Sequence, residues 1–332
     1  MPNKKIKILV IPAGSRIAIG IIKFLTREKN ISVISADTDK LAPGLYLSDK
    51  GYLISPFFEE NKFFNEVMKI IRKEKTDIII PALDSLLVKF AEHKKFFDNL
   101  SVKVLMSPPE TIFLTRDKWQ MYNLLKNTIP LPKSWIDKKD IDISYPLFIK
   151  PRDGSGSINS FKVESEEELN FYCKKIKNPI IQEYLEGREY TVDCLSDMRG
   201  KILFSIPRIR LGTRAGVSVK GRVVKNKKIE EIAQKISQKI KFTGPFLFQL
   251  KEKNGRLMLI EINPRFGGGM PLSVAAGPNI YLLSIKLFLG QEIKKIPKIN
   301  YGLYFTRFDE EIYLTERQIK SGILKNKGKV GL

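Results

Sequence analysis

Three side chains with oxygen donors cluster on a hairpin-like segment in the second half of the chain. The apolar pattern predicts two adjacent strands, 245–251 and 257–262. Because side chains alternate along a strand, Glu261 and Asn263 point to one face, and Gln249 on the preceding strand can reach it. Such hard oxygen ligands suit Mg²⁺, which shares its coordination with phosphate oxygens. The segment predicts a metal–phosphate site; the alternative is the ordinary polar face of a hairpin.

The residues after this hairpin carry charge and flexibility. Pro264 ends the second strand and places Arg265 beside the predicted metal. The run Gly267–Gly269 lets the backbone approach a ligand closely. The alternative is a flexible turn.

A second segment has the composition of an anion-binding loop. An apolar strand, 147–150, brings Lys150 to the start of a loop of small residues. The loop consists of Asp153, Gly154, Ser155, Gly156 and Ser157. Its backbone N–H groups can form a nest for phosphate, and Lys150 adds a point charge. The lysine precedes the glycines, which excludes a GxxxxGK[ST] loop; a simple hairpin loop is the alternative.

Two further segments have polar residues at the ends of predicted strands. A polar hinge follows the strand 180–184 and can offer backbone groups to an adenine edge, while Glu189 can accept from ribose hydroxyls. Arg208 and Arg210 share one strand face and can hold a carboxylate or an acyl phosphate by paired hydrogen bonds. The alternatives are an ordinary strand–loop–strand and a solvated basic loop.

Taken in order, these motifs resemble the ATP-grasp superfamily, and they look closest to a single unit of the carbamoyl-phosphate synthase large-subunit type, over about residues 5–290. The resemblance implies ATP and Mg²⁺, with Mn²⁺ as a substitute. It implies phosphate contacts from Lys118, Lys150 and the loop Asp153–Ser157, an adenine hinge at Glu183, Tyr184 and Leu185, ribose binding by Glu189, metal binding by Gln249, Glu261 and Asn263, and charge stabilisation by Arg265.

The elements that position these residues fall into two patterns. Strands and helices alternate over the first hundred residues, which predicts a parallel sheet with crossover helices. Shorter strands follow from Pro146. We therefore predict an α/β, Rossmann-like N-terminal domain followed by an α+β region, the two-lobed ATP-grasp fold. The predicted domains are 1–107, 108–185 (first lobe), 186–290 (second lobe) and 291–332 (C-terminal extension).

Four element predictions bear on the comparison with the structure. The pattern predicts one helix over 85–97, a strand over 102–106 and a strand-like run over 301–308. The segment after Arg210 is predicted to be a glycine-containing loop.

Composition narrows the function classes. The 332 residues carry a net charge of +22, but the lysines are spread along the whole chain, so we expect no nucleic-acid partner. No apolar stretch approaches the roughly 20 residues that span a membrane, and we expect a cytoplasmic protein without a membrane partner. The two cysteines have no metal-ligand spacing, and His93 is expected to be a surface or packing residue. The basic end, with Arg317, Lys320, Lys325, Lys327 and Lys329, receives no role.

We therefore predict a carbon–nitrogen ligase that activates a carboxylate as an acyl phosphate and passes it to an amine, releasing ADP and phosphate. Its partners are small carboxylates and amines, and the sequence leaves open whether the chain forms a homodimer. One alternative is a carbamoyl-phosphate-synthase-like subunit that phosphorylates a small carboxylate or carbamate. A second is a Rossmann-type enzyme, although Gly14 to Gly20 do not form GxGxxG. A third is a non-enzymatic nucleotide- or nucleic-acid-binding protein.

Overall fold

The structure, a computed structural model, describes residues 5–100, 102–320 and 323–325. The chain forms two compact units. The first takes the described parts of Met1–Pro109, Pro278–Lys295 and Phe308–Leu332, and the second comprises Glu110–Gly277 and Ile296–Arg307. These units are defined by packing, so the four predicted domain limits remain predictions about functional parts.

The first unit is built on a parallel sheet. Its strands are β1 (Ile6–Ile11), β2 (Ile31–Asp37), β3 (Lys50–Leu53), β4 (Ile78–Pro81) and β5 (Lys103–Val104). Its helices are α1 (Arg16–Leu25), α2 (Pro43–Leu47), α3 (Glu60–Glu74), α4 (Asp84–Glu92) and α5 (Lys94–Asp98). The order β3-β2-β1-β4-β5 is parallel throughout. The continuous apolar runs of β1 and β4 are buried, as expected for a sheet covered on both faces. The predicted α/β arrangement is confirmed.

Two element predictions in this unit were wrong in extent. The helix predicted over 85–97 is divided at His93, whose ring lies against Phe64 with centroids 4.4 Å apart and the rings tilted by 37°. His93 Nε2 also lies 3.1 Å from Glu60, so the residue packs at the break between α4 and α5. The strand predicted over 102–106 pairs with β4 at Lys103–Val104 alone.

The second unit contains two antiparallel sheets. Its helices are α6 (Pro109–Arg116), α7 (Lys118–Leu125), α8 (Glu166–Lys175), α9 (Lys227–Lys239) and α10 (Pro271–Ala275). The smaller sheet has the order β6-β9-β7-β8, and its strands are β6 (Ser134–Trp135), β7 (Leu147–Pro151), β8 (Phe161–Val163) and β9 (Pro179–Glu183). The larger sheet has the order β14-β13-β10-β11-β12-β15, and its strands are β10 (Glu189–Ser196), β11 (Ile202–Arg214), β12 (Val217–Val223), β13 (Gly244–Lys253), β14 (Arg256–Asn263) and β15 (Tyr304–Thr306).

The larger sheet has one apolar and one polar face. Its apolar face packs on α7 and α9 and includes Val192, Phe246 and Phe248, each 0% exposed. Alternation therefore places the intervening side chains, among them Asp193 and Gln249, on the opposite face. The predicted two-lobed arrangement of antiparallel sheets is confirmed.

The prediction of a loop after Arg210 was wrong. β11 continues to Arg214 and turns into β12, because Val217 and Val219 alternate with Ser218 and Lys220 in a strand pattern that the nearby charges obscure. β12 pairs in turn with the short β15, which is the part of the run predicted over 301–308 that forms a strand.

The remaining elements return to the first unit. They are α11 (Ile280–Phe288), α12 (Glu316–Lys320) and β16 (Ile323–Lys325), and β16 pairs antiparallel with β3. Of the predicted basic end, Lys327 and Lys329 lie outside the described residues. No helix in the described part of the chain combines the length and the apolar character that crossing a membrane requires.

Candidate active site

A cavity in the second unit gathers most of the residues singled out from the sequence. It lies between the smaller sheet and the polar face of the larger sheet. The predicted residues that line it are Lys118, Lys150, Gly154, Ser155, Gly156, Ser157, Glu183, Tyr184, Leu185, Glu189, Gln249 and Glu261. The predicted residues Asp153, Arg208, Arg210, Asn263 and Arg265 are absent from that lining.

Two lysines meet at the inner end of the cavity. Lys150 at the end of β7 donates from Nζ to the Ile260 carbonyl at 3.3 Å. Burial first, and the charge of Lys118 second, lower the pKa of Lys150 from 10.5 to about 8, against the attraction of Glu261 and Glu189. An anionic ligand bound beside Lys150 would favour its charged form and raise its pKa again.

A β-bulge shapes this end of the cavity. Gln249 pairs with Glu261, but Leu250 pairs with Leu259, so Ile260 is the extra residue of β14. The bulge leaves the Ile260 carbonyl available to Lys150. It also brings Glu261 opposite Gln249 on the cavity side, as the alternation of the sequence predicts.

Lys118 anchors the start of the glycine loop. It is 7% exposed, and its Nζ donates to the carbonyls of Arg152 at 3.2 Å and Gly154 at 2.7 Å. Asp117 caps α7 and pairs with the Arg152 side chain. The loop contains consecutive left-handed residues, Gly156 (φ 67°) and Ser157 (φ 59°).

The hinge and the acid after it have partners within the protein. Glu183 ends β9, pairs with Lys253 and accepts from the Lys133 backbone N–H at 3.2 Å. Glu189 pairs with the Arg210 side chain. Two lysines, Lys162 and Lys251, lie over the Tyr184 ring at 5.1 and 5.5 Å.

Arg208 is enclosed, which separates it from Arg210 despite their shared face. It is 1% exposed and makes a double hydrogen bond to Asp193, with Nε–Oδ2 at 2.6 Å and Nη2–Oδ1 at 3.0 Å. Ser273 donates to the same carboxylate at 2.5 Å. The expected direct contact between Arg208 and a substrate is at odds with this enclosure, because the pair with Asp193 occupies two of its donor nitrogens inside the protein.

The glycine run is explained by packing within the protein. A Cβ on Gly267 would lie 2.5 Å from Leu247, one on Gly268 2.9 Å from Val217, and one on Gly269 2.6 Å from Arg208 Nη1. The expectation that these glycines serve close approach to a ligand is therefore corrected: they admit neighbouring side chains.

Asn263 and Arg265 lie next to this turn. Arg265 donates to the Phe266 carbonyl at 2.9 Å and lies 3.4 Å from Asn263 Oδ1. Arg307, which follows β15, donates to the Gly268 carbonyl at 2.7 Å. The sequence reasoning missed Arg307, because it follows the predicted second lobe by seventeen residues and no local pattern connects them.

The residues that line the cavity and were missed from the sequence are mostly apolar or follow from strand alternation. They are Pro132, Phe148, Pro151, Ser160, Gln182, Lys251 and Ile260. Lys251 could have been found, because it lies two residues after Gln249 on the same strand face.

Comparisons with known proteins agree with this geometry. Residues 8–105 match the family described as PylC-like, N-terminal domain, and residues 175–310 match "ATP-grasp in the biosynthetic pathway with Ter operon". The carbamoyl phosphate synthase large chain of Clostridium perfringens (strain 13 / Type A) is 29% identical over 288 residues, which are 80% of this chain and 26% of that protein. The chain thus spans about a quarter of the length of this relative.

Solved structures share the fold at low identity. The biotin carboxylase domain dimer of Hydrogenobacter thermophilus 2-oxoglutarate carboxylase, in complex with MgADP, ADP and bicarbonate, gives a TM-score of 0.73 at 17% identity, covering 90% of this chain and 73% of that one. The N5-carboxyaminoimidazole synthetase of Staphylococcus aureus complexed with ADP gives 0.68 at 19%, covering 90% and 82%. The chain thus matches a PylC-like N-terminal domain model over residues 8–105, followed by an ATP-grasp model over residues 175–310.

Proposed function

We propose that this chain is an ATP-dependent carboxylate–amine ligase that works through an acyl phosphate. The observation that carries the proposal is the meeting of Lys118 and Lys150 with Glu261 and Gln249 in one cavity bordered by the glycine loop. The match spans only about a quarter of the length of the curated relatives, so their whole activity is not transferred.

ATP fits the cavity in one direction. The adenine would lie at the hinge of Glu183, Tyr184 and Leu185, which lines the cavity where β9 ends. The ribose would lie at Glu189. The phosphates would extend toward Lys118 and Lys150, which supply positive charge, and toward the loop Asp153–Ser157, whose backbone N–H groups can donate to an anion.

The residues at the inner end suit a hard divalent cation. Gln249 and Glu261 face each other across β13 and β14, and Asn263 follows on the same face. One carboxylate with two amides is too few ligands for an all-protein cage, but it matches Mg²⁺ or Mn²⁺ shared with phosphate oxygens. An ion held there by Gln249, Glu261 and Asn263 would supply positive charge against the phosphates.

The reaction has two displacements that balance. A carboxylate oxygen attacks the γ-phosphorus of ATP, and ADP leaves with the electrons of the broken bond. The amine nitrogen then attacks the acyl carbon, phosphate leaves, and the amine proton passes to solvent. Lys150 and Arg265 stabilise charge on the transferring group by position, and Lys118 keeps the loop in place to exclude water.

Neither Arg208 nor Arg210 is assigned a direct contact with the acceptor. Arg210 pairs with Glu189 and donates to the Gly216 carbonyl, whereas Arg208 pairs with Asp193 and lies against Gly269 inside the protein. Neither the carboxylate nor the amine is selected by these contacts. A carbamate-forming reaction on bicarbonate is the second candidate, favoured by the bicarbonate complexed in the Hydrogenobacter structure. A cytoplasmic location and a homodimer belong to the proposal as well.

The test is ADP release from Mg·ATP across pairs of carboxylates and amines, with bicarbonate included. Glu261→Gln removes the carboxylate of the metal site, and Glu252→Gln, on the same hairpin, is the control because Glu252 lies outside the cavity. We expect turnover that needs both substrates and falls by about a hundredfold or more in Glu261→Gln. Transfer of ¹⁸O from the carboxylate to phosphate would identify the acyl phosphate. Equal activity of the two variants would refute the assignment.

A further inference from the structure

The turn between β11 and β12 touches the tip of the glycine loop. A Cβ on Gly216 would lie 3.1 Å from the carbonyl carbon and oxygen of Gly156. Both glycines are left-handed, with φ 71° and 67°. Two backbones therefore meet without side chains between them, at the segment that borders the proposed phosphate site.

One arginine supports that turn from within the sheet. The Arg210 side chain is 7% exposed; its Nη1 pairs with Glu189 and its Nη2 donates to the Gly216 carbonyl at 2.7 Å. Charge-assisted bonds from the two arms of a planar guanidinium fix direction as well as distance. The same side chain thus connects the acid proposed for the ribose with the turn under the loop.

We propose that Arg210 and Gly216 are positioning residues for the glycine loop. The Ala215–Gly216 turn contacts Gly156 and limits how far the loop moves when it covers the phosphates. Arg210 fixes the position of this turn and connects it to Glu189, so that ribose binding and loop closure stabilise each other. The inference rests on the proposed function, since it assumes a nucleotide under the loop.

The hairpin alone does not explain the contact. Ala215 (φ 47°) and Gly216 (φ 71°) are both left-handed, as a two-residue hairpin turn requires. The turn of the β13–β14 hairpin has the same conformation, with Asn254 at φ 49° and Gly255 at φ 74°. A Cβ on Gly255, however, would meet nothing within 4 Å. Gly255→Ala therefore carries the backbone strain of Gly216→Ala without the contact with the loop.

The experiment compares Gly216→Ala with Gly255→Ala. Hydrogen–deuterium exchange of residues 152–159 is measured with and without a non-hydrolysable Mg·ATP analogue. We expect the bound loop in Gly216→Ala to exchange about tenfold faster than in the wild type, a typical coupling between sites, while Gly255→Ala matches the wild type. Arg210→Lys, which keeps a charge for Glu189 but loses the second arm, should also speed loop exchange.

Kinetics provide a second readout. A displaced loop should admit water, so Gly216→Ala should release ADP without forming amide, while Gly255→Ala keeps the two coupled. Equal loop exchange in both glycine variants, with the wild type binding the analogue, would overturn this inference alone. Failure of the wild type to bind the analogue would overturn the proposed function itself.

Discussion

The buried ion pair between Arg208 and Asp193 predicts a large effect from a small change. Asp193→Asn keeps the shape of the side chain but removes its charge, while Arg208 stays 1% exposed beside a residue that was 0% exposed. Breaking a buried pair by removing one partner costs about 3–5 kcal/mol, because the remaining charge is uncompensated. The total stability of a domain is about 5–15 kcal/mol, so the variant should be close to unfolding at moderate temperature.

Cys194 provides a local assay for this change. It follows Asp193 on β10, is 0% exposed, and burial raises the pKa of its thiol well above the usual value. A thiol reagent can therefore react with Cys194 only when the sheet opens. In a Cys173→Ser background, the labelling rate of Cys194 should rise by about a hundredfold or more in Asp193→Asn, since each 1.36 kcal/mol is tenfold.

Two comparisons decide whether the charge is responsible. Asp142→Asn removes an exposed ion pair, in which Lys133 Nζ and Asp142 Oδ2 are 2.7 Å apart and the side chains are 54% and 58% exposed. The labelling rate of Cys194 should not change in this variant. Arg208→Met combined with Asp193→Leu removes both charges and should label more slowly than Asp193→Asn alone, because no unpaired charge is left buried. If Asp193→Asn labels at the wild-type rate, the pair is not enclosed as described and the reasoning fails.

Two further predictions concern the nucleotide. The pKa of Lys150 is lowered to about 8, so Lys150 loses its charge as pH rises through that value and kcat/KM for ATP should fall above pH 8. In Lys150→Arg this fall should disappear. If Lys150→Arg keeps the wild-type pH profile, another group is responsible for the titration. A Cβ on Gly187 would lie 2.0 Å from the Glu252 carbonyl, so Gly187→Ala should displace the hinge and raise KM for ATP by about tenfold or more. Gly290→Ala is the control, because its added Cβ has nothing within 4 Å and KM should not change. An unaltered KM in Gly187→Ala would show that the hinge is not part of the nucleotide site.

Periodicity predicted most of the strands and the cavity side of the hairpin. Glu261 and Gln249 follow from alternation plus strand pairing, and both assumptions hold in the sheet. The bulge at Ile260 did not follow from the sequence. It breaks the alternation, since Leu259 and Ile262 both belong to the apolar core while Ile260 and Glu261 both line the cavity, but the continuous apolar run 257–260 does not reveal where the extra residue lies. Contacts between residues far apart in the chain were equally out of reach, and Arg307 on the Gly268 carbonyl is the example.

Charge patterns misled the sequence reasoning where partners were hidden. Arg208 and Arg210 look equivalent in the sequence, but Asp193 encloses the first and Glu189 holds the second beside the cavity. The loop prediction after Arg210 failed for a related reason, since the charged residues of β12 conceal its alternation. The glycine run was recognised as a place of close approach, but its neighbours proved to be protein side chains.

The central claim is that Mg·ATP binds in the cavity between the two sheets of the second unit. Calorimetric titration of the whole chain with a non-hydrolysable ATP analogue, with Mg²⁺ and with a chelator, tests it without knowledge of the other substrates. The account predicts binding that needs Mg²⁺, weakens by about tenfold or more in Lys150→Met and Glu261→Gln, and is unchanged in Glu252→Gln. No binding by the wild type, or equal binding by all three variants, would contradict it.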